Sequence, residues 1–242
     1  MKNIFYADFY KLKHNKVILY SLLFLTIIII SFGMICNIFF KNKIFIINEI
    51  IISNLDKVLI FTILFSNLFY ETFKYNTFKN IFILNISVKD FFICGIIEQF
   101  IIVLLTILYF SILYFIGYIM LNFNYSDLFD CIQSFSIKLI HFLSITLAII
   151  SINNCIILLF RNDIFVFLGF LIQCNLNVLI DIFNKLAVIK ADFIKNFTIT
   201  TQINFLSTNT IDQSSIINSI IICFITSITF NIVAYYIYKK NL

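Results

Sequence analysis

Apolar residues in this chain come in long unbroken blocks. A helix needs about 20 predominantly apolar residues to cross the hydrocarbon core of a bilayer. Six blocks qualify as predicted spans: Val17–Phe40, Val58–Phe69, Phe91–Leu121, Ile132–Phe160, Ile164–Ile182 and Ile216–Tyr238. The second is short unless extended to Glu71, and the core of the third lies beyond Gln99. The blocks are too long and alternate too little for a barrel, so helices that satisfy their own backbone are required. Residues 1–16 differ. Phe5, Phe9 and Leu12 recur at helical spacing beside Ile4, while Lys2, Lys11, Lys13 and Lys16 can snorkel towards headgroups. They are read as an amphipathic interfacial helix. The expected fold is an all-α integral membrane protein: a single transmembrane domain over 1–242, with six transmembrane helices and an N-terminal interfacial helix.

Composition strengthens this picture. The 242 residues are 62% hydrophobic and 12% charged, with mean hydropathy +1.04. A soluble domain carries about 45–50% apolar and about 25% charged residues, so this chain has more apolar surface than a water-soluble core can hide. The absence of proline predicts regular helices without proline kinks. Val17–Phe40 spans 24 residues with no small-residue cleavage site after it. It is longer than the about 7–15 residues of a signal-peptide core and is read as a retained anchor. The six cysteines form no CxxC pair and sit mostly in apolar runs, as small core residues do.

Charge sets the expected orientation. With the N-terminus inside, ten basic and five acidic residues fall on the cytoplasmic side, a net of +5. Seven of each fall outside and cancel. The basic bias puts both termini in the cytoplasm of a multi-pass plasma-membrane protein. Lysines are scattered, with no basic stripe or stacking platform, which argues against nucleic acid as a partner. Residues 184–215 are then the largest outside segment, with room for a short helix lying at the outer surface before the polar loop Ser207–Ser215.

Motifs for catalysis are missing. There is no GxxxxGK[ST], HExxH or GxSxG, and the four glycines at 33, 95, 117 and 169 are isolated. The chain is read as a non-enzyme that holds no cofactor or metal. Charges and amides inside the spans carry the remaining polar chemistry. Glu98 is read either as a buried gating or ligand-facing carboxylate or as a residue at headgroup depth near a helix start. Lys138 and His141 mark the outer end of the fourth span. Asn153, Asn154, Gln173, Asn175, Asn177 and Asn231 lie deeper, where amides commonly join helices and less often line a substrate path. In the segment 71–90, Glu71, Lys74, Lys79 and Lys89 alternate with Phe73, Tyr75, Phe78, Ile81 and Phe82. A helix there could lay its aromatic face on the interface and present charge to a partner.

These features resemble the permease subunits of ABC-2 type transporters, with the bacitracin-resistance and lantibiotic-immunity permeases the nearest in look. The opening ADFYKLKHNKVIL is similar to that family's entry before the first helix. ETFKYNTFKN resembles its loop after the second helix, with Glu71, Thr77, Lys79 and Asn80 on the pattern and Asn76 where glycine is usual. The basic residue common just inside the third helix is missing. FIKNFTITTQINFL and YIYKKNL resemble the family's outer segment and basic end. The resemblance implies six membrane helices per subunit, a second permease subunit, identical or homologous, and separate ABC ATPase subunits that hold ATP and Mg. It implies export of amphiphilic peptides such as lantibiotics, or of small molecules, conferring antibiotic resistance or immunity. Glu71, Lys74, Thr77, Lys79 and Asn80 are then the expected surface for coupling to the ATPase, with Arg161 and Asp163 a second, smaller one. Glu98, Asn153 and Asn154 are the candidate intramembrane polar residues. The alternative is a membrane-embedded substrate-binding subunit or an immunity protein that works without ATP.

Overall fold

A serine caps the helix that begins at Val88. In the computed structural model, which describes residues 87–120, 128–185, 192–207 and 213–240 and five single positions between 20 and 31, the Asp90 amide donates to Ser87 Oγ at 3.0 Å. The Phe91 amide donates to the Ser87 carbonyl at 3.1 Å. Ser87 is thus the N-cap, with Asp90 acidic in the first turn where the helix dipole favours it. Helix α1 runs Val88–Met120, α2 Leu128–Phe160 and α3 Asp163–Lys185. After them come the short α4 (Asp192–Lys195), α5 (Ile199–Ser207) and the last long helix α6 (Gln213–Lys240). Among the described residues there is no strand.

Among the described residues, four helices are long and apolar enough to cross a membrane, over Val88–Leu113, Ser136–Phe160, Ile164–Lys185 and Ser214–Lys240. They correspond to the third to sixth predicted spans, so the described part is an all-helical, membrane-embedded bundle. The second predicted span, the 1–16 helix, residues 71–86 and all but five positions of the first predicted span lie outside the described residues. Helix α1 starts three residues earlier than the apolar block does, because Ser87 caps it there. Lys89 and Asp90, assigned from sequence to the 71–90 segment, therefore belong to the first turn of α1.

The order of contacts gives the directions of the helices. His141 meets Ser219 and Cys155 meets Phe230, so α2 and α6 run parallel. Phe92 lies in one core with Leu158 and the later Val103 in another with Ile150, while Val166 lies with Leu158 and the later Phe170 with Ile149, so α1 and α3 run opposite to α2. The end of the bundle where α1 begins is the proximal end. It also holds the α2–α3 turn and the end of α6, where Phe92 packs on Tyr235 and Tyr238 with ring centroids 5.5 Å apart.

Helix α2 is the centre. Of its apolar window 72% is buried inside the protein, against 17% for α3 and for α6, which leaves those two at the periphery with apolar faces for lipid or protein. Helix α2 packs most extensively on α6 and also touches α3, α5 and α1. The distal core gathers Phe142, Ile145, Ala148 and Ile149 of α2 with Phe170, Ile199 and Cys223. The proximal core gathers Phe92, Cys155, Ile157, Leu158, Val166, Ala234 and Tyr238. Small residues make the close α2–α6 approach possible: Ser219, Cys223, Ser227 and Ala234 are all buried along α6.

Only Arg161 and Asn162 separate α2 from α3. Such a short connection forces the two helices to be antiparallel neighbours. Arg161 takes a left-handed conformation, φ 51°, and its amide donates to the Ile157 carbonyl at 2.8 Å, closing α2 as glycine commonly does. Asn162 caps α3, its Oδ1 accepting from the Ile164 amide at 2.9 Å. An L residue in that conformation costs about 1–2 kcal/mol relative to the right-handed form. Arg161→Gly is therefore expected to raise stability by roughly 1 kcal/mol. The check is thermal unfolding followed by a thiol-reactive dye, which reads exposure of the buried free thiols of Cys94, Cys155 and Cys223. An unchanged or lower midpoint would mean that the arginine side chain contributes more than its backbone costs.

Candidate functional site

Two adjacent asparagines on α2 organise a polar layer inside the bundle. Asn153 and Asn154 are both fully buried. One residue along a helix is a rotation of about 100°, so they face different neighbours. Asn154 faces α1 and makes a reciprocal amide pair with Gln99: Gln99 Nε2 donates to Asn154 Oδ1 at 2.9 Å, and Asn154 Nδ2 donates to Gln99 Oε1 at 2.8 Å. Asn153 faces α3 and accepts from Gln173 Nε2 at 3.1 Å. The Asn153 Nδ2 and Gln173 Oε1 atoms have no hydrogen-bond partner among the described residues. The layer thus holds one completed amide pair and one half-completed pair. Glu98, beside Gln99, is buried at 6% exposure, ten residues into α1. Gln99 and Gln173 sit near the midpoints of their apolar spans. The layer therefore crosses the middle of the bundle, where water is scarce and each amide bond contributes on average about 0.6 kcal/mol.

A second polar zone lies distally and is built by the 192–207 segment. Sequence suggested a helix lying on the outer surface. Instead α5 is wedged among α2, α3 and α6, with Ile199 in the distal core and Gln202 fully buried. Thr200 Oγ1 donates to the Gln173 carbonyl at 2.7 Å and accepts from the Leu176 amide at 3.2 Å. Thr198 Oγ1 donates to Asn177 Oδ1 at 2.6 Å, and Asn177 Nδ2 donates to Thr201 Oγ1 at 2.8 Å. Lys195 forms an ion pair with Asp181. Leu176 is nine residues before the end of α3, so the chain returns by about 14 Å along that helix before it turns towards α6. Irregular backbone at such depth is tolerated because protein surrounds it and most of its polar groups are bonded, the Gln202 Oε1 atom being an exception among the described residues. Gln202 Nε2, for example, donates to the Asn196 carbonyl at 2.7 Å.

Near this zone His141 Nε2 and Ser219 Oγ lie 2.6 Å apart, fully buried, joining α2 to α6. Lys138, one turn before, is buried at 9% exposure. The sequence places both residues at the outer end of a helix; they lie in the first two turns of the apolar span Ser136–Phe160 but face inward. Of the other amides singled out in the sequence, Asn175 and Asn231 bond within their own helices, to the Leu171 carbonyl at 2.9 Å and to Ser227 Oγ at 3.5 Å.

The coupling residues expected from sequence divide by position. Glu71, Lys74, Thr77, Lys79 and Asn80 lie outside the described residues. Arg161 is exposed in the α2–α3 turn, and Asp163 is the first residue of α3. That turn is at the proximal end, together with Ser87, through which residues 71–86 enter α1. Phe160 and Phe165 stack across it with centroids 4.6 Å apart. Exposed Lys239 and Lys240 close α6 at the same end.

Sequence reasoning missed the roles of Gln99, Gln202 and Ser219. Gln99 carried a signal, an amide one residue beyond a flagged carboxylate in an apolar block. Ser219 carried another, since it starts the spacing Ser219, Cys223, Ser227 along one face of α6. Gln202 carried none, because nothing local says that an outer segment folds inward. No family model matches the chain, and neither a curated protein nor a solved structure is similar enough to it to count as a match.

Proposed function

We propose that the chain is the transmembrane permease subunit of an ABC-2 type exporter, expelling peptide antibiotics such as lantibiotics, or other amphiphiles, from the plasma membrane. A second permease subunit and separate ABC ATPase subunits complete the machine, and ATP and Mg are held on the ATPase. The proximal end faces the cytoplasm. The observation that carries this reading is the meeting of two elements at one end of the bundle. The exit of the 71–86 segment at Ser87 and the Arg161 turn both lie there. An ATPase bound at that end could push on α1 and on the α2–α3 pair together. The half-completed amide pair between α2 and α3 supports the reading further, as a polar contact that can be remade when those helices shift.

The test is purification of the tagged full chain from its native membranes, with ATP hydrolysis assayed in the eluate. The wild type is expected to bring down ATPase activity. Glu71→Ala with Lys79→Ala should insert normally yet recover about tenfold less, the equivalent of about 1.4 kcal/mol of lost contact. Unchanged recovery would remove the 71–90 segment from the coupling role. Absence of ATPase from the wild-type eluate, with antibiotic resistance intact in cells, would favour the ATP-independent immunity protein.

A further inference from the structure

The contact between His141 and Ser219 ties the distal turns of α2 and α6 together. Both residues are buried, so the imidazole ring has little access to water. Cys223, one turn further along α6, shares Ser219 with the ring, and its thiol also reaches Ser144. Ser144 Oγ in turn donates to the His141 carbonyl at 2.7 Å. Lys138 is buried three residues before His141, a spacing that makes the two side chains neighbours on α2. The joint is thus an imidazole and an amine enclosed with two hydroxyls and a thiol. The elements around it bring few other charges. The charged residues of α6 are Lys239 and Lys240, at the proximal end, and α5 has none. On α3, Asp181 pairs with Lys195 of α4 and Lys185 is exposed, while Asp192 opens α4. Asp130 lies about two turns before Lys138 on α2, and Glu98 of α1 belongs to the central layer. Tyr109 of α1 and Cys174 of α3 also lie towards this end, but phenols and thiols ordinarily titrate above about pH 8.

We infer that the His141–Ser219 joint is an acid-sensitive latch: a proton on the ring releases the distal turns of α2 from α6. In the neutral ring one nitrogen donates and the other accepts, which suits a hydroxyl partner, whereas the imidazolium donates from both. The added charge would be enclosed in the bundle beside Lys138. Burying such a charge costs far more than one hydrogen bond contributes. Parting the two helices at this end lets water reach the ring. An exposed imidazole titrates near about pH 6.5. The latched state is therefore favoured above that value and loses ground as the pH falls below it. Each pH unit below it enriches the open state by up to about tenfold. On the orientation proposed above, the distal end meets the cell exterior, and external acid is what the latch senses. The latch itself depends neither on that orientation nor on an ATPase, so its test stands or fails apart from the permease reading.

The full chain in phosphatidylcholine–phosphatidylglycerol nanodiscs is followed by amide hydrogen exchange at about pH 7.5 and about pH 5.5, with each rate divided by the intrinsic chemical rate at that pH. Peptides covering 136–145 and 214–223 are expected to open about tenfold more often at the lower pH, the linkage limit for one proton on this ring. Peptides covering 150–158 and 228–238, in the proximal half, should not respond. His141→Gln keeps an amide for Ser219 but cannot titrate, and should abolish the distal response. The chain has one other histidine, His14, and His14→Gln should leave the response intact. A wild type without a distal change, or with an equal change in both halves, overturns the proposal. So does a response that survives His141→Gln or is lost in His14→Gln. The wild type alone decides the first two outcomes, so the test holds even where His141→Gln folds poorly.

Discussion

Gln99→Leu is expected to destabilise the protein by about 1–3 kcal/mol, because it leaves the Asn154 amide buried and unpaired. Asn154 is fully buried and Gln99 is 2% exposed, so water cannot replace the lost partner. Asn154→Leu should cost a similar amount, with Gln99 now the orphan. The double replacement is the informative case. Two leucines facing each other leave no amide stranded, and the double variant should be less destabilised than the two single changes add up to. Unfolding in a titration of SDS into mixed micelles measures this, with the thiols of Cys94, Cys155 and Cys223 as reporters. Strict additivity would show that the two amides are not coupled. Destabilisation near zero in both single variants would show that the layer is hydrated.

Ala234→Leu is expected to be comparably damaging, by about 1–3 kcal/mol, through overpacking. Ala234 is fully buried in the proximal core with Cys155, Leu158 and Tyr238. The Cys155 thiol donates to the Phe230 carbonyl at 3.0 Å, which a close approach of α2 to α6 requires. A larger side chain at 234 separates the helices and stretches that contact. Removing volume opposite should recover part of the loss, so Ala234→Leu with Leu158→Ala is predicted to be more stable than Ala234→Leu alone. Failure of that rescue would place the damage elsewhere than in α2–α6 spacing.

The apolar blocks read directly as helices. The ends of α2 and α3 were legible to within a residue or two on either side of Arg161, because a charged pair interrupts two long apolar runs there. Candidate polar sites were half legible. Asn153 and Asn154 stood out as amides deep in a span, yet their partners were out of reach. Each amide has several equally spaced candidates, and pairing depends on which helices are neighbours and how each is rotated. Glu98 shows the same limit. Its place in the block permitted either a headgroup or an interior position, and the start of α1 at Val88 set it ten residues inside the helix, buried. The 192–207 segment was the least legible. Its threonines and Gln202 read as surface residues because they are polar, yet the threonines are inside because the α3 backbone and Asn177 satisfy them, and the Gln202 amide donates to the Asn196 carbonyl.

What the sequence determined by itself is that this chain lives in lipid as helices. An excess of apolar residues in blocks of spanning length leaves no other way to bond the backbone. What only the tertiary structure decided is which helix is the centre and which polar groups meet. Apolarity puts every span in the membrane equally, but small residues on α6 and paired amides on α1, α2 and α3 determine which helices approach closely. Those contacts are made between residues 20 to 78 positions apart, and no local pattern encodes them.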